Sequence, residues 1–388
     1  MRRLLAVPVL ILTCFIAIAN ASPARITSAP GQIHHSAKPI VQVALLLDTS
    51  NSMDGLIDQA KSQLWRIVNE LSSATWKGQN PEVYVSLYEY GNDRLDSRTG
   101  YIRKVLSFTN NLDTISENLF ALTTCGGSEY CGTVIRDSVT GLDWSRHADV
   151  YKVIFIAGNE PFTQGRVPFR ESVAMAAAKG IIVNTIFCGP YQEGINTQWL
   201  AGAQSGHGDY FNIDHGVRVV SIAAPQDDEI LRLNNELNQT YIAYGEKGKV
   251  AKVAQEQQDS NQVSYSKANL SDRAAFKASK QYSNTASSWD VVSAVASGSV
   301  KAEELKKEDL PKEMQSMSPK EREKYINANI QKRKDIQDRI TKLSNERRQY
   351  VALKEKEAAK AGTTQTLDTA IIKSIHSQAA PKGYEFKQ

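Results

Sequence analysis

Cysteine is scarce in this chain of 388 residues: four, with Cys14 in an apolar leader stretch and only Cys125, Cys131 and Cys188 beyond it. So few in so long a chain exclude a disulfide framework as the basis of the core, and the length allows a sizeable apolar one. Histidine is also rare, six in all, and no H-E-x-x-H occurs, which leaves out the common zinc hydrolase arrangement. Neither a P-loop nor a G-x-S-x-G elbow is present. An S-x-x-K at Ser264 and Lys267 lies in a polar stretch with no K-T-G after it. Charge is not concentrated in one sign: the net value is +4, and the basic and acidic residues are interspersed. That excludes the focused basic face that nucleic acid requires. Past residue 21 no apolar run is long enough to span a bilayer.

What is there begins at the N-terminus. Arg2 and Arg3 precede an apolar run over residues 4–19, and Ala19-Asn20-Ala21 has the small-x-small form of a signal-peptidase site. The reading is a signal peptide over 1–21, cleaved after Ala21, and a mature protein that is periplasmic or secreted with no transmembrane span. An uncleaved anchor is the alternative, with an apolar run slightly short for a span. Residues 22–38 are rich in Ser, Ala, Pro and His and read as a linker, with His34-His35 a solvated pair.

Over residues 39–220 strand-like and helix-like segments alternate. Residues 40–47 are apolar on both faces, as a central strand of a parallel sheet must be. Ile57, Ala60, Leu64, Ile67, Val68 and Leu71 follow at helical spacing. Segments 83–90 and 101–108 flank the turn-rich "GNDRLDSRTG" and read as a hairpin. Helices are expected over 112–123, 133–144, 170–180 and 195–204, and strands over 151–158, 181–189 and 208–214. This is an α/β pattern, helices on both faces of a mainly parallel sheet. After 220 the strands stop. Residues 221–300 read as a helical region, with Ile230, Leu233, Leu237 and Tyr241 at helical spacing. Residues 301–360 read as a charged long helix or helical hairpin packed along one edge. Arg333 and Arg347 interrupt its thin apolar stripe, where a sustained coiled coil wants a cleaner seam. Residues 361–388 form a C-terminal tail apolar enough to dock.

The stretch "DTSNS" directly follows the first strand. In extended chain, Asp48, Ser50 and Ser52 project to one side, at the sheet edge where ligands of open α/β folds collect. One carboxylate and two hydroxyls form a hard-oxygen set suited to Mg²⁺ or Mn²⁺. Helix capping is the competing use of the same residues, with Asn51 and Asp54 resembling a capping box.

A buried strand ending in "DTSNS", then a helix, a hairpin and alternating α/β units, resembles a von Willebrand factor type A (VWA) domain with its D-x-S-x-S metal-ion-dependent adhesion site. The likeness covers roughly residues 39–215. The stretches "CGGSEYCG", "IAGNEPFTQG" and "IIVNTIFCG" are similar to a bacterial exported branch of that family. The resemblance implies a doubly wound fold that binds other proteins and is not an enzyme. It implies a metal whose open position a partner's acidic side chain fills. It places a further ligand at Ser128, with Glu129 and Thr133 as substitutes. The family's Asp after the fourth strand falls on Gly158, a departure for which Asn159 or Glu160 would have to supply an oxygen. On that fold Cys125, Cys131 and Cys188 converge near the site and are disulfide candidates in any pairing, or Cys188 is a buried thiol.

The function expected is therefore an exported protein that holds a protein partner through a partly degenerate divalent-cation site. A metal-independent scaffold of the cell envelope on the same fold is the alternative. A thiol-dependent hydrolase would need Cys188 and His207 at one sheet edge.

Overall fold

A computed structural model describes residues 39–213, 221–360 and 367–386. The signal peptide and linker assigned to residues 1–38 lie outside these. The strands are β1 (Ile40–Asp48), β2 (Thr75–Trp76), β3 (Glu82–Tyr90), β4 (Ile102–Thr109), β5 (Tyr151–Gly158), β6 (Ile182–Cys188), β7 (His207–Ile213) and β8 (Tyr384–Glu385). Between and after them run helices α1 (Asp54–Ser73), α2 (Leu112–Ala121), α3 (Cys131–Gly141), α4 (Phe169–Ala178), α5 (Tyr191–Asn196), α6 (Trp199–Ser205) and α7 (Asp227–Asn238). These are followed by α8 (Gly245–Tyr265), α9 (Lys267–Lys277), α10 (Lys280–Ala286), α11 (Val291–Ala296), α12 (Lys312–Gln315), α13 (Pro319–Lys360) and α14 (Leu367–Ala379).

Six strands make the main sheet in the order β4-β3-β1-β5-β6-β7. β1 is buried along its whole length and runs parallel to β3 on one side and β5 on the other. Only β4 is antiparallel, the edge member of the expected hairpin. The chain thus leaves β1 in one direction and later returns to its other side. That reversal is the topological switch point of a doubly wound sheet, and Asp48 is the last residue of the strand at that point.

The alternation of β1 sorts its side chains into two cores. Val41, Val43, Leu45 and Leu47 face α1, α2 and α14, whereas Ala44 and Leu46 face α3, α4 and α6. The expected helix over 195–204 is two short ones, α5 and α6, broken at Gln198, which takes a left-handed φ of 70°. A period-3.6 pattern does not reveal such a break.

The polar second half packs onto the first core. α9 lies on α1, α8 on α2, and α13 crosses α7, α9 and α11. Within 301–360, short turns and α12 precede α13, which is continuous over 42 residues. Ile326, Ile336 and Ile340 on it are buried. Arg333 and Arg347, which look like interruptions of that stripe, are buried too. Arg333 pairs with Asp290 at 2.6 Å and stacks over Tyr241, and Arg347 pairs with Asp227 at 2.7 Å and Asp272 at 2.8 Å. Nearby, Arg273 and Lys277 are fully buried around Asp259 and Asp113.

The tail docks as well. α14 sets Ile371, Ile375 and Ala379 into the first core beside α1, β6 and β7. β8 then pairs with β2, two short strands that the sequence pattern did not announce. The Tyr384 hydroxyl donates to the Ile40 carbonyl at 2.9 Å, and Trp76 Nε1–H donates to the Lys382 carbonyl at 2.9 Å. Described elements on either side of the boundaries drawn at 220, 300 and 360 pack against one another.

Candidate functional site

At the carboxyl end of β1 the backbone leaves the sheet through an extended Ser50 and a 3-10 turn at Asn51–Met53 before α1 begins. Ser50 N–H donates to Asp48 Oδ1 at 2.7 Å, which folds the segment back over the carboxylate. The hydroxyls of Ser50 and Ser52 stand 3.5 Å apart. Three of the five oxygen-bearing residues of "DTSNS", Asp48, Ser50 and Ser52, are thus linked in one place. The capping alternative has no bond to support it: no side chain caps either the 3-10 turn or α1. Asp54 instead accepts from the Thr124 hydroxyl.

Asp48 is fully buried, and its Oδ2 has no hydrogen-bond partner. Facing it is Glu129, from the loop between α2 and α3, only 3 % exposed and with an equally unpartnered Oε2. Gly91 permits this approach. A Cβ there would lie 2.7 Å from Glu129 Cγ and 2.8 Å from Asp48 Oδ1, and its φ of 80° also favours glycine. The Ser50 hydroxyl lies within reach of both carboxyls. Asn159, just past β5, donates through Nδ2 to Ser52 Oγ at 3.1 Å, while its buried Oδ1 lacks a partner.

The other expected ligands sit differently. Ser128 is half-buried and makes no hydrogen bond with the cluster. Thr133, in the first turn of α3, lies with its methyl toward the position of Gly100. Glu160 is half-buried and meets Glu129 through its backbone N–H. Tyr90 was not anticipated. Its hydroxyl donates to the Ala157 carbonyl at 2.9 Å and fills the space beside Gly158.

Cys125, Cys131 and Cys188 all lie at this edge, and all are free thiols, so none of the candidate disulfides is formed. Cys125 N–H donates to the Thr49 carbonyl at 3.0 Å, and Cys131 Sγ lies 3.8 Å from the Tyr90 hydroxyl. Burial, reinforced by the nearby Asp48 and Glu129 charges, pushes the Cys131 and Cys188 thiols up, which keeps them protonated and unreactive. The proposed Cys188–His207 pair does not exist. His207 opens β7 opposite Val183, whereas Cys188 ends β6 opposite Ile213. At about 3.3 Å per residue the two lie roughly 16 Å apart along the sheet, because residues at opposite ends of parallel strands cannot share an edge.

Burial, then the Glu129 carboxyl, holds Asp48 well above the usual carboxylate range, and burial raises Glu129 as well. A carboxyl raised in the folded state binds a proton there that it releases on unfolding. Its folded form therefore loses stability as pH rises from the unfolded value near 3.8 toward the folded one. Asp48→Asn removes that burden and can donate to Glu129. In chelator at neutral pH the variant should be more stable than the parent by about 1–3 kcal/mol, measured by urea unfolding. At pH 3 the advantage should shrink.

Among the described residues no group of three or more His, Cys, Asp or Glu could hold a metal ion. The set around Asp48 differs in kind, with two carboxylates and the remaining oxygens from Ser and Asn. Also among the described residues, no helix is long and apolar enough to cross a membrane.

No protein-family model and no curated protein matches the chain. Among solved structures it is similar to proximal thread matrix protein 1 of the mussel byssus, at 12% identity and a TM-score of 0.32, over 45% of this chain and 41% of that one. The chain thus spans less than half of that protein. It is similar to the conserved hypothetical protein BatB from Bacteroides thetaiotaomicron, at 18% identity and a TM-score of 0.34, over 45% of this chain and 90% of that one. It is also similar to the SpRpn10 VWA domain, at 13% identity and a TM-score of 0.33, over 45% and 88%. The fold is identified by the strand order and by the place of "DTSNS" within it.

Proposed function

We propose that this chain, whose first half has the VWA-type α/β fold, is an exported, non-enzymatic binding protein. It holds a protein partner through a divalent cation at Asp48, Ser50 and Ser52. One observation carries this reading: three buried oxygens, Asp48 Oδ2, Glu129 Oε2 and Asn159 Oδ1, have no hydrogen-bond partner. Buried polar atoms are normally satisfied, so three unpartnered acceptors on neighbouring residues ask for a positive charge among them. The donors are all hard oxygens, which fits Mg²⁺ or Mn²⁺. A bound cation would supply an open coordination position for an acidic side chain of the partner. The raised, buried thiols and the separated Cys188 and His207 leave the hydrolase reading without a nucleophile–base pair.

Calorimetric titration of the mature protein with Mg²⁺ and Mn²⁺, beside Asp48→Ala, tests the cation. Binding heat is expected in the parent and none in the variant, and identical traces would remove the idea. Capture of envelope proteins should then fall in chelator. The metal-free scaffold has one observation in its favour: a protonated Asp48 can donate to Glu129 and quiet part of the cluster without an ion. Capture that persists undiminished in chelator would favour it.

A further inference from the structure

We infer that Glu129 is the second carboxylate ligand of this site, taking over from the acid that type A domains carry after the fourth strand of the sheet, where this chain has Gly158. The inference rests on the cation reading above and adds which residues balance the charge. A buried divalent ion facing Asp48 alone would keep one uncompensated positive charge, which a dry site tolerates poorly. Two carboxylates neutralise it.

The usual position for the second acid is blocked here. A Cβ at Gly158 would lie 2.5 Å from the Tyr90 hydroxyl and 3.1 Å from Asp48 Oδ2. Tyr90 is fully buried and held by its bond to the Ala157 carbonyl. No larger residue fits at 158 while Tyr90 stays in place. The acid instead arrives from the opposite wall, on the α2–α3 loop. That loop is fastened to the sheet edge at several points. Glu129 N–H donates to Gln164 Oε1 at 2.6 Å, Asp93 N–H to the Gly126 carbonyl at 2.7 Å, and Cys125 N–H to the Thr49 carbonyl. Its placement is therefore built in. Both carboxylates are nine-tenths buried or more, and each aims an unpartnered oxygen into the cluster. The neighbouring acids are less suited: Asp54 is engaged by Thr124, and Glu160 is only half-buried.

The test measures Mn²⁺ affinity of the full mature chain by calorimetry and by the free-ion electron paramagnetic resonance signal. It compares the parent with Asp48→Ala, Glu129→Gln, Glu129→Asp and Glu160→Gln. Loss of a ligand should weaken binding at least as much as loss of an outer-shell partner, tenfold or more by order of magnitude. Glu129→Gln is expected to show that loss, Glu129→Asp a smaller one from its shorter reach, and Glu160→Gln none. Should Glu129→Gln fail to fold, Glu129→Asp decides alone, and parent-like affinity in it would overturn the assignment. Parent-like affinity in a folded Glu129→Gln, with binding still lost in Asp48→Ala, would also overturn it and leave the cation reading standing. No Mn²⁺ binding by the parent would sink both.

Discussion

A chain cut before Leu367 should fail to reach its native state, or hold it only at low temperature. α14 and β8 supply Ile371, Ile375 and Tyr384 to the core that also contains β1, α1 and α9. Burying each such side chain is worth about 1.5–3 kcal/mol. A protein of this kind has roughly 5–15 kcal/mol of net stability to lose. The cut also exposes Val43, Leu45, Leu64 and Ile67, which with Ile371 line an apolar cavity between β1 and α1. Thermal unfolding followed by circular dichroism, with dye binding for exposed apolar surface, checks this. A truncated chain that melts with the parent would show that the docked tail contributes nothing. Ile371→Ala is the milder version, expected to cost about 2–5 kcal/mol.

Arg333→Ala is the second large effect. The guanidinium pairs with Asp290, donates to the Thr240 carbonyl and hydroxyl and to the Ser293 hydroxyl, and stacks 4.1 Å over Tyr241. Removing it leaves the Asp290 carboxylate charged in a site from which water is excluded. Breaking one side of a buried pair costs about 3–5 kcal/mol. Asp290 also accepts from Ile242 N–H and Ser293 N–H, so it cannot turn away to solvent. Arg333→Met with Asp290→Asn should recover part of the loss, since no bare charge then remains. Urea unfolding of the two singles and the double gives the coupling. Additive losses would mean that the pair does not act as one unit.

These arginines show where reading a sequence stops. Within α13 they break an apolar stripe and look like solvent-facing charge. Their partners are 43 residues away for Arg333–Asp290 and 120 for Arg347–Asp227, so no local periodicity announces them. The sheet was legible because β1 and β5 are apolar on both faces, a pattern that few environments other than a central parallel strand accept. Asp48 was legible for the same reason, as the first charge after such a run. The loop between α2 and α3 was legible only as far as its approach to the carboxyl end of β1. Whether Ser128 or Glu129 turns inward depends on how closely the Gly91 backbone lets the loop approach, which spacing along the chain does not encode. The tail showed apolar residues at 371 and 375 but not the face that they cover.

The bond from Tyr384 to the Ile40 carbonyl joins the first strand of the domain to a residue 344 positions further along the chain. A ribosome delivers these two ends more than 300 residues apart. The sheet therefore cannot be sealed until residues 371–384 have been made, and its central strands wait with one apolar face uncovered until α14 emerges. Such high contact order slows folding and lengthens the interval in which a holding chaperone finds a client.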